Sequence, residues 1–529
     1  MIFSHITENY GEVASLTQSL DYQPDALAGY RRLMALSPCS LLLESAEIDS
    51  KNNLKSLLLI DAALRIECNG LCVTVTAASA NGATLLPYLA GKLSELAAVN
   101  LSAEQLTVRF SMPDVLCDEA SRLIQPNPFS VLRCLQQQLH CHSGEPFAVF
   151  LGGVIGYDMI AVTEQLPDVP AAENQCPDYL FYLAETLLVL DHQNQHSTLI
   201  GNIFCGPQAA ANCFTIGKRL EQLKQLLHKQ PEKTAVPSAA TAPSTVQTDI
   251  SDETFKAQIE TLKQRIVAGD IFQVVPSRCF SLPCPDPLSA YARLKQQNPS
   301  PYMFYLNDPA FTLFGASPES ALKFTALNRQ VEIYPIAGTR RRGFAADGSI
   351  DRDLDSRIEL ELRQDEKEKA EHLMLVDLAR NDVARISIPG SRYVKELLKV
   401  DRYSYVMHLV SRVVGTLKPE LDALHAYQAC MNMGTLVGAP KLKAAELIRL
   451  AEKKRRGSYG GAIGYLSGNG DFDSCIVIRS AYVAGNIAYI QAGAGVVYDS
   501  VAQAEADETR SKAQAVISAI QAAATGVTA

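Results

Sequence analysis

Short apolar runs bounded by turn residues recur along the whole chain, separated by stretches with helical spacing. In the front half, LLLES (Leu41–Ser45), SLLLIDAALRIEC (Ser56–Cys68) and FYLAETLLVLD (Phe181–Asp191) predict strands. In the back half FTLFGASPESALKF (Phe311–Phe324), VEIYPIAGT (Val331–Thr339), GAIGYL (Gly461–Leu466), SCIVIRSAYV (Ser474–Val483) and IAYIQAGAGVV (Ile487–Val497) do the same. The last three lie close enough to form an antiparallel meander, which favours an α+β fold over a doubly wound α/β sheet. Leu220, Leu223, Leu226 and Leu227 mark one face of a helix over Gly217–Lys229. A second helix is expected over Phe255–Ile266, because Ser251, Asp252, Glu253 and Thr254 before it supply helix-start chemistry.

Between these two helices runs KQPEKTAVPSAATAPSTVQTD (Lys229–Asp249), rich in Pro, Ala, Ser and Thr and too poor in large apolar residues to build a core. It divides the chain into residues 1–230, a linker over 231–250, and residues 251–529. A chain of 529 residues exceeds what one core usually supports, which agrees with two units. Apolar residues make up 47% and no stretch reaches the ~18–20 apolar residues of a membrane span, so no membrane association is expected. The start, MIFSHITENYGEV, has neither a basic segment nor an apolar one, so no secretory signal is expected and the chain reads as cytoplasmic. A net charge of −9 argues against a nucleic-acid binder, whose footprint would be basic. The 13 cysteines contain no C-x-x-C pair and are an odd number, so they are expected as reduced, mostly buried small hydrophobes.

Two helical segments carry paired glutamates three residues apart, Glu368 with Glu371 and Glu505 with Glu508, and each pair shares a helix face. The bland alternative is two solvated faces, with Glu508 and Lys512 as an i,i+4 ion pair. The functional alternative is that the pairs face each other and hold a hard cation through oxygen. Spacing alone does not bring the helices together. Gln491-Ala492-Gly493-Ala494-Gly495 would let an anion approach backbone N–H groups, or would only make a tight strand connection. Arg479, breaking an apolar run, is either an edge residue or a fork aimed at a carboxylate. Tyr459 among glycines, His408 in an apolar run and Glu319 after a proline each have an equally plain structural explanation.

Together these runs resemble the chorismate-utilising enzyme family. The resemblance rests on PIAGTRRRG (Pro335–Gly343), DEKEKAEHLMLVDLARND (Asp365–Asp382), SRVVGTL (Ser411–Leu417), RRGSYGGAIGY (Arg455–Tyr465), IVIRS (Ile476–Ser480), QAGAGVV (Gln491–Val497) and EADETRSKA (Glu505–Ala513), in family order. LLLESAEID (Leu41–Asp49) and LGGVIGYD (Leu151–Asp158) extend it into the front half. It implies two antiparallel sheets packed as a sandwich with helices outside. It also implies Mg²⁺ on Glu371 and Glu508, supported by Glu368 and Glu505, clamping the ring carboxylate of chorismate. Gly338, Thr339, Tyr459, Arg479 and the backbone of Gly493, Ala494 and Gly495 would hold the rest. Glu319 would protonate the leaving C4 hydroxyl, His408 would assist elimination of pyruvate, and Lys512 and Gln273 would complete the catalytic set.

Two positions choose among relatives. Water-using members have a lysine where this chain has Gln273, and aminodeoxychorismate-forming members use the lysine of PIKGT where this chain has Ala337. Both point to ammonia addition at C2 and to anthranilate plus pyruvate as products, on the path to tryptophan. Val437 and Arg341 stand where the family commonly has serine and proline. No glutaminase signature is present, so a separate glutamine amidotransferase subunit is implied. The resemblance makes residues 1–230 a tryptophan-sensing region, with an effector site at Glu44, Ser45, Asn298, Pro301, Tyr302 and Met303. An absence of tryptophan suits an enzyme needed when that amino acid is scarce. The rival expectations are an aminodeoxychorismate-forming subunit and a non-catalytic tryptophan-sensing module.

Overall fold

Strand-forming residues collect into antiparallel ladders drawn from both halves of the sequence. The computed structural model describes residues 6–45, 54–112, 117–228, 245–403 and 405–525. Within them 23 strands join into one hydrogen-bonded network, antiparallel except where Glu12–Leu20 meets the two-residue strand His140–Cys141. The network doubles over into two layers. Leu41 packs against Gly152 although their strands share no ladder, and the core around Leu59, Phe150, Leu180, Tyr182, Phe304, Leu313 and Ile463 is almost wholly strand side chains. Two further cores lie between the outer faces and the helices. The strand Lys55–Asn69 makes a corner. Register shifts between Leu59 and Leu64 bend it, so one edge passes from Ser40–Glu44 to Cys72–Ala77 while the other follows Tyr179–Asp191.

The front and back sequences meet along ladders. Ser40–Glu44 pairs with Tyr302–Asn307, and Phe150–Ile155 pairs with Ala462–Ser467. The helix expected over Gly217–Lys229 runs Ala209–His228, and the one expected over Phe255–Ile266 runs Asp252–Val267 with Ser251 as its N-cap. Residues 229–244, most of the expected linker, lie outside the described residues, as do 46–49 of LLLESAEID. None of the 13 cysteines, all of them among the described residues, is in a disulfide. No helix is long and apolar enough to cross a membrane among the described residues.

Three runs expected as single strands are each broken. FTLFGASPESALKF divides into Thr312–Ser317 and Ser320–Thr325 around Pro318-Glu319, and VEIYPIAGT divides before Pro335 into Gln330–Ile333 and Ile336–Arg341. SCIVIRSAYV divides into Phe472–Ile476 and Ser480–Ala484, where Arg479 takes a φ of +49°. The expected meander is therefore two separate pairs, Ala462–Ser467 with Phe472–Ile476 and Ser480–Ala484 with Ile487–Gly493. The first and third breaks lie side by side. The N–H of Ile476 donates to the Glu319 carbonyl and that of Ala316 to the Arg479 carbonyl, at 3.0 and 3.1 Å.

Candidate active site

Those breaks open onto one cavity of about 430 Å³, lined wholly from the back half of the chain. Glu319 enters from the Pro318 corner and Arg479 from its neighbour. Gly338 and Thr339 come from Ile336–Arg341, and His408 comes from the adjacent strand Val406–Thr416. Gly338 is the bulge residue between two register positions, with a φ of +81° that only glycine adopts freely. The helices Glu366–Ile386 and Ala502–Thr525 present Glu368, Glu371, Glu505, Glu508 and Lys512 to the same space.

Every catalytic, substrate and metal residue expected from the sequence lines this cavity except Ala494, whose N–H donates to the Pro276 carbonyl at 3.1 Å while Gly493 and Gly495 line it. Among the polar lining residues, Lys367 and Thr435 were not named as site residues, and Gln491 was named only as the start of the glycine-rich run. Thr435 Oγ1 donates to Glu319 Oε1 at 2.9 Å, a contact across 116 residues. Nothing local in GTLVGAPK announces it.

The charges are unevenly balanced. Burial pushes the Glu319 carboxyl up to about 8, against the pull of Thr435, Lys512 and Arg479. Burial and the Arg479 guanidinium pull His408 down to about 4, so its ring is neutral near pH 7, with Nδ1 2.9 Å from Thr339 Oγ1. Burial, with Glu368 and Glu508 nearby, raises the Glu371 carboxyl. Burial raises Glu505, and its neighbour Glu508 adds to this, while Lys512 holds Glu508 below the usual carboxylate value despite burial. Lys512 Nζ meets Glu508 at 2.8 Å and the Gly493 carbonyl at 3.0 Å, so the bland i,i+4 pair exists and also borders the cavity. Glu368 is held by Arg340 at 2.8 Å. Gln273 donates from Nε2 to Glu371 Oε1 at 3.1 Å, and its buried Oε1 has no partner among the described residues.

For a divalent cation the donor set is apt in chemistry: hard carboxylate oxygens from two facing helices, with Glu371 raised by its like-charged neighbours. These residues fit Mg²⁺ as the group that would offset their mutual repulsion. Among the described residues no three His, Cys, Asp or Glu side chains are arranged as a ready metal cluster, so the carboxylates line the cavity without converging.

The expected effector residues gather elsewhere. Glu44 ends the strand Ser40–Glu44 opposite Met303. Its Oε1 accepts from Tyr291 at 2.6 Å and its Oε2 from Lys295 at 2.7 Å. Ser45 Oγ is buried without a partner among the described residues, which differs from an internally bonded strand serine. Asn298 caps the helix Pro287–Gln297, and Pro301 and Met303 are buried nearby. The Tyr302 ring points to the other face of its strand, its hydroxyl 3.2 Å from Asp473, so only its backbone faces Glu44.

A family profile described as chorismate binding enzyme matches residues 102–518. Anthranilate synthase component 1 of Vibrio cholerae is 59% identical over 96% of this chain and 96% of its own length. The same component of Escherichia coli K12 is 55% identical over 94% of this chain and 95% of its own. The crystal structure of anthranilate synthase component I from Streptococcus pneumoniae superposes with a TM-score of 0.70 at 32% identity, covering 89% of this chain and 93% of that one.

Proposed function

The chain belongs to the chorismate-binding enzyme family, in its anthranilate synthase component 1 group, and from that premise we propose how its cavity makes anthranilate. The enzyme converts chorismate to anthranilate, the first committed step toward tryptophan. One observation carries the mechanism: a buried carboxyl that stays protonated near neutral pH, Glu319, shares a cavity with Arg479, Lys512 and four glutamates.

Glu319 donates its proton to the C4 hydroxyl of chorismate, which leaves as water. A positioned general acid contributes about 10²–10⁴ in rate. Ammonia forms the new bond at C2 and releases its extra proton to solvent. Gln273 is neutral and does not act as a base, and its unpartnered Oε1 accepts an N–H of the incoming ammonia. Neutral His408 takes the C2 proton in the second stage, the C3–O bond breaks as the ring becomes aromatic, and the departing enolpyruvate takes up a proton at its methylene carbon to become pyruvate. Arg479 and the backbone at Gly493 and Gly495 hold the enolpyruvyl carboxylate, while Tyr459, Gly338 and Thr339 border the ring. Mg²⁺, when bound by Glu371 and Glu508 with Glu368 and Glu505 behind them, supplies positive charge for the ring carboxylate.

The component 1 designation of the relatives implies a partner component. We assign it as a glutamine amidotransferase that delivers ammonia to the Gln273 side. Residues 1–230 with Asn298–Met303 are assigned to tryptophan sensing and 251–529 to catalysis, and we assign the reaction to the cytoplasm, in keeping with 13 cysteines that form no disulfide among the described residues. Incubating the purified chain with chorismate, Mg²⁺ and ammonium at alkaline pH should give fluorescent anthranilate, and glutamine in place of ammonium should give none until the partner is added. A 4-amino product, or glutamine-dependent turnover by the isolated chain, contradicts the reading.

A further inference from the structure

Behind one wall of the cavity lies an ion pair that none of these steps uses. The side chains of Arg456 and Glu452 are 1% and 3% exposed, and their contacts run at 2.9 Å from Nε to Oε2 and 2.5 Å from Nη2 to Oε1. Arg456 also donates to the carbonyls of Leu436 at 2.9 Å and Val275 at 2.6 Å, and its guanidinium lies 5.6 Å from the centre of the Tyr459 ring. Val275, Leu436 and Tyr459 all line the cavity. On its other side Glu452 Oε1 accepts from the N–H and the hydroxyl of Ser277, both at 2.8 Å, and Ser277 Oγ lies 2.8 Å from Gln491 Nε2. Gln491 lines the cavity too.

The proton count along this chain fixes the direction of the last amide. All four contacts to Glu452 come from groups able to donate, as a carboxylate requires. Ser277 has one hydroxyl proton, and Glu452 receives it. Its oxygen is then left to accept, so Gln491 must turn its NH₂ toward Ser277, and its carbonyl is the end free to meet a ligand. We propose that Gln491 is a substrate-positioning residue, held by the Arg456–Glu452–Ser277 chain with its carbonyl toward the C4 hydroxyl of chorismate. With both carboxylates ionised, that hydroxyl is the substrate's only hydrogen-bond donor. The contact leaves a lone pair of the same oxygen for the Glu319 proton.

This rests on chorismate as substrate, so turnover of the unaltered full-length chain with chorismate and ammonium is read first, and failure there overturns the functional reading itself. Gln491→Met keeps the volume and removes the amide. It should raise the KM for chorismate about 10-fold, the effect of one buried hydrogen bond, and leave the KM for ammonium near normal. Ser277→Ala frees the amide to rotate and should raise the chorismate KM about 3-fold. The double variant should be no worse than Gln491→Met alone, because Ser277 acts through Gln491. An unchanged chorismate KM in Gln491→Met, a rise in the ammonium KM instead, or multiplying effects in the double variant would overturn the proposal. Calorimetric binding of chorismate to the same variants gives a second reading independent of turnover.

Discussion

Glu319 and Glu371 in the cavity and Glu44 outside it are each wholly or partly withdrawn from water, and the chain treats them in opposite ways. At Glu44 each oxygen has its own donor, Tyr291 or Lys295, and the charge is closed within the protein. In the cavity Glu371 is raised by burial and by Glu368 and Glu508, while Glu319 avoids the conflict by holding its proton. Buried charge without a partner costs several kcal/mol, so a chain keeps it only where something else completes it. The cavity thus needs its ligands, whereas Glu44 offers a ligand only an exchange of partners. Changes in the cavity should therefore cost far more than changes beside Glu44.

The largest effect is expected at the carboxylates. Glu371→Ala or Glu508→Ala removes one hard oxygen donor and leaves the ring carboxylate of chorismate facing three glutamates without a full set of ligands for the cation. Ammonia-dependent turnover should fall by at least about 10⁴-fold at saturating Mg²⁺, with the circular dichroism spectrum and melting temperature little changed. Near-normal activity in either variant would mean that these glutamates are the solvated helix faces of the bland reading.

Next is Glu319. Glu319→Gln keeps the shape and removes the proton, so the rate should drop about 10²–10⁴-fold. The pH dependence follows from its value of about 8. The acid form is lost as pH rises through that value, while free ammonia grows with pH, so the ammonium-dependent rate should climb and then fall. The falling limb should vanish in Glu319→Gln. Stability has the same sign. The folded chain retains a proton that the unfolded chain releases above the ordinary 4.5, so this contribution is full below 4.5 and is lost as pH rises through about 8. Glu319→Gln should flatten that part of the curve. An unaltered pH–rate profile in the variant would remove Glu319 from its role.

The same contrast explains what could be read from the sequence. Apolar alternation located the strands, and helix spacing put each glutamate pair on one face, because both are local properties. The three breaks were missed because FTLFGASPESALKF, VEIYPIAGT and SCIVIRSAYV read as strand on both sides of each break. Pro318, Pro335 and Arg479 mark the breaks as single residues, but the positive φ at Arg479 is not legible in residue type. Those breaks are where Glu319 and Arg479 turn into the cavity, so the runs that were least regular in space were the ones that carried chemistry. The side-chain contacts of Thr435 and Gln491 were invisible for another reason. Their partners, Glu319 and Ser277, lie 116 and 214 residues away, and only tertiary structure makes them neighbours.

The smallest effect, and the sharpest check on the comparison, is expected beside Glu44. Tryptophan brings an ammonium and an indole. The ammonium suits the carboxylate that Lys295 now occupies, and the indole suits the apolar surroundings of Met303. Feedback requires that tryptophan bind the inactive arrangement more tightly, since equal affinity for both states shifts nothing. Ser45 adjoins this carboxylate, and its buried hydroxyl has no partner among the described residues, so replacing it breaks no hydrogen bond. Ser45→Phe adds a ring in the space the effector would enter. The tryptophan concentration needed for half inhibition should rise at least ~10-fold, a loss of about 1.4 kcal/mol of coupling. Turnover without tryptophan should stay near that of the unaltered chain, because Ser45 lies outside the cavity. Binding can be read apart from inhibition: the chain contains no tryptophan, so indole emission excited beyond the tyrosine band reports the effector alone. Should Ser45→Phe lose catalysis and feedback together, Ser45 is part of the fold and the effector lies elsewhere. Should it bind tryptophan as before, the ring does not stand in the effector's space and the placement of the site is wrong.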